Sequence, residues 1–203
     1  MKKSQKIIIL TCLVLAVALI GFTTYQLNPK QGKTVTTSGK ALIGGSFELV
    51  NQDGKKVTDK DFHGKFMLIY FGYTFCPDVC PTELQVMTGA LEKLGDKAKN
   101  IQSVFVSVDP ERDTPSVMKD YVSNFYPGMM GLSGTPEQIS KIAKLYRVYY
   151  SKAAEKGAAA DEYSMDHSSI VYLMDRNGAF IKHFSYGTDA DKLAKGLSKA
   201  IKG

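Results

Sequence analysis

Residues 65–94 read KFMLIYFGYTFCPDVCPTELQVMTGALEKL. Lys65 to Tyr73 is an apolar and aromatic run of the kind that forms a buried strand. Pro81 suits the first position of a helix, where its missing N–H is not needed. Leu84, Met87, Leu91 and Leu94 then recur at helical spacing. Between strand and helix stands Cys76-Pro77-Asp78-Val79-Cys80-Pro81, which puts two thiols on the loop that opens a helix.

That placement has chemical consequences. The first turn of a helix carries unpaired N–H groups and partial positive charge. Both favour a thiolate over a thiol, and the thiolate is the form that attacks disulfides or binds metal. Two cysteines this close can also reach disulfide geometry. The pair is open to three uses: a redox couple, two soft metal ligands, or a static crosslink. The last is the weakest, because closing a short loop gains little.

The chain has 203 residues, enough for one domain with additions. Lys2, Lys3 and Lys6 precede the uncharged apolar run Ile7 to Phe22, and Thr23 to Tyr25 bring it to bilayer-spanning length. The flanking positive charge predicts a cytoplasmic N-terminus with the remainder outside. A cleaved signal peptide is the competing reading, but no small-x-small site follows the run. Cys12 reads as a small apolar residue within it. The expected organisation is a membrane anchor over 1–27, a polar tether over 28–43 and a folded domain over 44–203. Only Cys76 and Cys80 remain as cysteines in that domain, which excludes a small disulfide scaffold. The net charge of +6 is spread over scattered lysines without a dense basic run among aromatics, so no nucleic-acid partner is expected.

Further elements follow in order. Ser46 to Val50 and Lys55 to Thr58 flank Asn51-Gln52-Asp53-Gly54, a hairpin signal. Ile101 to Val108 is a second β-rich run. Thr114-Pro115 starts a helix with Val117, Met118, Tyr121 and Val122 as its apolar face. Met129 to Ser133 is a short strand or loop. Thr135 and Gln138 have capping-box spacing at the head of another helix. Arg147 to Ser151 is an extended edge, and Ala153 to Ala160 is an Ala-rich loop or insert. Ser169 to Met174 and Ala179 to Phe184 are strands joined by the turn Asp175-Arg176-Asn177-Gly178. Asp189 to Ile201 closes the chain as a helix. The sum is an α/β fold: a thioredoxin-like sandwich with an N-terminal hairpin and insertions, preceded by one transmembrane helix. Sites in such sheets lie beyond the carboxyl ends of the strands, where the cysteine loop falls.

Four features resemble the Sco/SenC family of membrane-anchored copper-binding proteins of cytochrome c oxidase assembly. They are Tyr70 to Pro81 (YFGYTFCPDVCP), Ser107 to Pro115 (SVDPERDTP), Asp166-His167-Ser168-Ser169 before an apolar strand, and the N-terminal anchor. The resemblance spans about Gly44 to Ile201. It implies one copper ion, Cu(I) or Cu(II), held by Cys76, Cys80 and His167, with Asp78, Asp109 and Asp166 as candidates for supporting those ligands. It also implies a metallochaperone delivering copper to the binuclear centre of oxidase subunit II. Further implied partners are other copper chaperones or thiol–disulfide reductants. The implied location is the cytoplasmic membrane, single-pass, with the domain on its outer, periplasmic face. Soft thiolates and an imidazole suit copper on chemical grounds as well.

The remaining residues carry plainer readings. His63 is a surface or capping residue and His183 faces solvent. Asp78 is a candidate helix cap. Asp109 and Arg112 to Thr114 pin the loop after the second strand. Met87 is core, and Met165 is a weak candidate for transient copper contact. A thiol–disulfide oxidoreductase is the alternative function. Against it, the loop that would hold a cis-proline in a general thioredoxin-like reductase reads Ser164-Met165-Asp166-His167-Ser168, and no proline follows Pro136. A peroxidase is disfavoured, since neither cysteine has Thr or Ser three residues before it.

Overall fold

The computed structural model describes residues 42–154, 159 and 162–201, together with positions 15 and 19. Apart from positions 15 and 19, the expected anchor over 1–27 lies outside these residues, as does most of the tether. Among the described residues no helix is long and apolar enough to cross a membrane.

The apolar run forms β3 (Phe66–Gly72), and all seven of its residues are buried. It is an interior strand of the sheet. β4 (Ile101–Ser107) pairs with it in parallel on one side. β8 (Ile170–Met174) pairs antiparallel on the other. Outward from β4 come β5 (Met130–Ser133), β1 (Glu48–Asn51) and β2 (Lys56–Thr58), and outward from β8 comes β9 (Phe180–Ser185). The seven-stranded order is therefore β2-β1-β5-β4-β3-β8-β9. Two turn aspartate-type side chains set the hairpins: Asn51 Oδ1 accepts the N–H groups of Asp53 and Lys55, and Asp175 Oδ1 those of Asn177 and Ala179.

Successive side chains of β3 point to opposite faces. Tyr70 stacks on Phe105, which meets Tyr121 of α2 (Pro115–Val122). Phe71 meets Tyr146 of α3 (Pro136–Tyr146) on the other face. α1 (Val79–Leu94) and α4 (Ala190–Ile201) lie together, with Gly89 of α1 in contact range of Ala190. β3 is thus covered on both sides, which explains its lack of polar alternation. Both expected proline-headed helices form as read. Thr114 caps α2, and Thr135 and Gln138 make a reciprocal capping box on α3.

Three local expectations are corrected. α1 begins at Val79, not Pro81, so Cys80 lies inside its first turn. Proline is tolerated at this third position because no N–H there has an intrahelical acceptor. Residues 147–151 are not a continuous edge: Arg147 ends α3 in the left-handed region at φ 55°, and β6 starts at Tyr150 (Tyr150–Ala153). The segment 164–168 is mostly not loop: Ser164–His167 is strand β7, paired antiparallel with β6 as a separate two-stranded sheet. Within the Ala-rich insert, residues 155–158 and 160 lie outside the described residues.

Candidate metal centre

β3 ends at Gly72, and the chain then turns through Tyr73, Thr74 and Phe75 to Cys76. That turn is fastened from below. The buried Asp113 carboxylate accepts the Thr74 N–H at 3.1 Å, the Thr74 hydroxyl at 2.6 Å and the Ser107 hydroxyl at 2.5 Å. Burial raises its affinity for a proton, and the three donors oppose that shift. The loop then delivers two unlike thiols. Cys76 is half-buried, while Cys80 is wholly buried. The Cys80 N–H donates to Cys76 Sγ at 3.4 Å, so a first-turn amide is aimed at sulfur. Both cysteines are free thiols.

Gly72 makes room for Cys80. A Cβ at position 72 would lie 2.7 Å from Cys80 Sγ and 2.9 Å from a Phe105 ring carbon. The Tyr70 hydroxyl approaches the same sulfur at 4.0 Å.

His167 completes the cluster from the far end of the chain. It is the last residue of β7, just before β8, which runs antiparallel beside β3. Its Nε2 is 3.3 Å from Cys80 Sγ, and its Nδ1 is 3.3 Å from the Ser168 carbonyl. A carbonyl can only accept, so Nδ1 carries the proton and Nε2 of the neutral ring presents its lone pair to the sulfur. The rings of Tyr73 and Tyr70 stand edge-on to the imidazole at centroid distances of 5.9 and 6.1 Å. The ligand atoms of Cys76, Cys80 and His167 all lie within 4.8 Å of one another.

Burial shifts the protonation of Cys80 and His167. It pushes the Cys80 thiol up, against the opposing N–H of Tyr73. For Cys80 in the metal-free protein, burial thus opposes the thiolate that the helix opening would favour. Burial holds His167 below the ordinary histidine range, with the Ser168 carbonyl and Asp166 opposing. At neutral pH the site rests as a Cys80 thiol facing a neutral imidazole. A positive metal ion would displace the thiol proton, and two sulfurs with one ring nitrogen make a soft donor set that fits copper.

The other candidates fall into place differently. Asp78 is exposed and caps no N–H; its carboxylate accepts the Thr82 hydroxyl at 3.4 Å. Asp109 is buried and salt-bridged to Arg112 at 2.5 Å. Asp166 is exposed on β7. Met87 and Met165 are core residues. His63 and His183 are exposed, the latter stacked on Phe180. Sequence reasoning missed Gly72, Tyr70, Tyr73 and Tyr163 as parts of the site. The first three sit in or next to a strand whose composition explained them fully. Tyr163 acts on partners more than fifty residues away, as its 54-residue separation from Asp109 shows.

Residues 35–202 match the SCO1/SenC family model. The mitochondrial SCO1 homolog 1 of Arabidopsis thaliana is 43% identical over 167 residues, covering 82% of this chain and 49% of that protein, so the chain spans about half of that relative's length. The crystal structure of Arabidopsis thaliana ScoI with copper bound superposes at a TM-score of 0.74 with 43% identity, covering 79% of this chain and 98% of that one. BsSco, a member of the Sco family of cytochrome c oxidase assembly proteins in which a disulfide switch was identified, superposes at 0.62 with 25% identity, covering 80% and 96% of the two chains.

Proposed function

From the premise that this chain belongs to the SCO1/SenC family, we propose that it binds one copper ion through Cys76, Cys80 and His167 and passes it to the binuclear copper centre of cytochrome c oxidase subunit II. The observation that carries the reading is the approach of His167 Nε2 to Cys80 Sγ at 3.3 Å. Soft thiolates hold Cu(I), and imidazole serves either oxidation state. A three-ligand site at the edge of the domain, with Cys76 half-buried, leaves room for an acceptor's ligands to replace these one at a time. Copper bound to related ScoI supports the cargo, and the place of BsSco among cytochrome c oxidase assembly proteins supports a recipient in that oxidase. Residues 1–27 would anchor the chain in the cytoplasmic membrane with the domain on its outer face.

The test is copper titration with absorption spectroscopy on the full chain and on Cys76→Ser, Cys80→Ser and His167→Ala. A Cu(II)–thiolate charge-transfer band is expected in the wild type and lost in each serine variant. His167→Ala should bind at least about 100-fold more weakly, beyond the 10–100-fold typical of residues that only support a ligand. Equal binding by His167→Ala would remove the ligand assignment.

A second reading is favoured by the two free thiols at close range. A Cys76 thiolate would attack a disulfide of the recipient, and Cys80 would then displace the product dithiol while Cys76 and Cys80 close to a disulfide. Two electrons and two protons pass to the recipient. Failure of the copper-free dithiol to reduce an oxidised subunit II peptide within hours would eliminate this route.

A further inference from the structure

His167 is carried by a hairpin that does not belong to the main sheet. Among the described residues β6 and β7 pair only with each other, so the imidazole is joined to the main sheet through the short link to β8 and not through a ladder of its own. The hydrogen bonds beside His167, Ser168 N–H to Tyr149 O and Tyr149 N–H to Ser168 Oγ, close the hairpin on itself. The link to β8 brings His167 to the right edge of the sheet, and contacts between the hairpin and the neighbouring loops seat it over the cysteines.

Tyr163, immediately before β7, makes several of these contacts. Its hydroxyl donates to Asp109 Oδ1 at 2.8 Å. Its carbonyl accepts Arg112 Nη1 at 3.0 Å, and the Arg112 guanidinium carbon lies 3.6 Å from its ring centroid. Arg112 Nε is bonded in turn to Asp109 Oδ2 at 2.5 Å, and Asp109 is only 1% exposed. The same guanidinium stands 4.7 Å from the Phe75 ring and 5.8 Å from the Tyr73 ring. Phe75 and Tyr73 belong to the loop that delivers Cys76. One planar cation therefore touches both the hairpin that bears the histidine and the loop that bears the cysteines. A hydrogen bond to a buried carboxylate is stronger than one between neutral groups. The parallel tether, Lys152 to Glu111 at 2.6 Å, is solvent-exposed and contributes little.

We propose that Tyr163 is a positioning residue for His167: its clasp on Asp109 and Arg112 holds the β6–β7 hairpin against the cysteine loop and so sets the imidazole at ligating distance from Cys80. The inference rests on the copper reading above. Loosening the clasp lets the hairpin swing and the imidazole leave first, so Tyr163 governs how readily copper is released more than whether the cysteines bind it.

The experiment uses the full chain as wild type, Tyr163→Phe, Tyr163→Leu, His167→Ala and the double variant Tyr163→Leu/His167→Ala. Two quantities are measured: hydrogen–deuterium exchange of residues 162–168 in the copper-free protein, and the rate of copper release to a chelator. Tyr163→Phe, which keeps the ring on Arg112, should accelerate both modestly. Tyr163→Leu should speed copper release by about 10-fold, the scale seen when a ligand's supporting partner is removed. In the His167→Ala background the Leu substitution should add nothing to release, because the group it positions is gone. A merely structural role predicts the opposite, an equal acceleration with or without His167, and that result overturns the proposal. So does wild-type exchange and release in Tyr163→Leu. If His167→Ala itself releases copper as the wild type does, the ligand assignment fails and takes this inference with it, a pattern distinct from the other two.

Discussion

His167 Nε2 lies 3.3 Å from Cys80 Sγ, although 87 residues separate them in sequence. Sheet topology closes that gap. β3 and β8 are antiparallel neighbours, so the residues that follow β3 and those that precede β8 emerge at the same edge. The cysteine loop comes after one strand and His167 comes before the other. The pairing also needs an empty volume above the end of β3 for the sulfur, and Gly72 supplies it.

Gly72→Ala tests that volume. The new methyl would meet Cys80 Sγ at 2.7 Å and Phe105 at 2.9 Å, and both neighbours are fully buried in the core. Overpacking of this kind costs about 1–3 kcal/mol. Denaturant unfolding of the copper-free variant should show that loss, and copper titration should show weakened binding, because the sulfur is the atom displaced. Wild-type copper affinity in a destabilised variant would mean that the sulfur had another place to go.

Asp113→Asn probes the fastening beneath the loop. The carboxylate accepts from the Thr74 N–H, the Thr74 hydroxyl and the Ser107 hydroxyl. An amide replaces one acceptor oxygen by an NH₂ that faces donors. Stability should fall by about 1–3 kcal/mol, the cost of leaving a buried polar group unpaired. Thermal unfolding reads the loss directly. Copper binding should weaken with it, since Thr74 lies two residues before Cys76.

The pH dependence follows from two shifts of opposite sense. Burial raises the Cys80 thiol above its ordinary value of 9.0, so binding a metal at neutral pH must expel its proton. Release of that one proton should by itself make copper affinity rise about ten-fold per pH unit, separately from any proton that Cys76 releases. Burial lowers His167 from 6.5, so the ring stays neutral to more acid values than an ordinary histidine. Competition titrations should show the slope steepening only below pH 6.5. Steepening at or above that value would contradict the buried, neutral imidazole. The same shift affects the copper-free fold. Between the lowered value and 6.5 the unfolded chain holds more protons on this residue, so its contribution to stability falls as pH drops through that window.

What the sequence made legible has a physical pattern. The strand–loop–helix that carries the cysteines is local, and an apolar run with a proline-headed helix is enough to read it. His167 was identified through family resemblance. By residue alone it was a loop histidine, because the short strand that holds it pairs only with another short, half-exposed strand. Asp78 was misread as a cap. Its backbone sits at φ −141°, ψ −66°, not in the extended conformation of a capping residue, and its carboxylate turns to the Thr82 hydroxyl. Tyr163 left no trace, since its partners come from a different strand-to-helix loop and nothing periodic marks it.

The unequal burial of the two thiols yields a last prediction. Cys80 is 0% exposed and wedged over Gly72, while Cys76 is half-buried at the loop. Alkylation requires contact between thiolate and reagent. Burial denies Cys80 that contact and also keeps its proton on. Iodoacetamide should therefore label Cys76 at least about ten-fold faster than Cys80 in the native copper-free chain, by the dependence of thiol reactivity on exposure and ionisation. Mass spectrometry of timed digests measures the ratio, and labelling in denaturant should abolish it. The direction matters for both functional readings. An acceptor's sulfur, or a recipient disulfide that the Cys76 thiolate attacks, would meet Cys76 first and Cys80 only after copper or the bond had begun to move. Equal labelling rates in the folded protein would show that the helix opening frays enough to expose Cys80, and an ordered exchange through Cys76 would lose its structural basis.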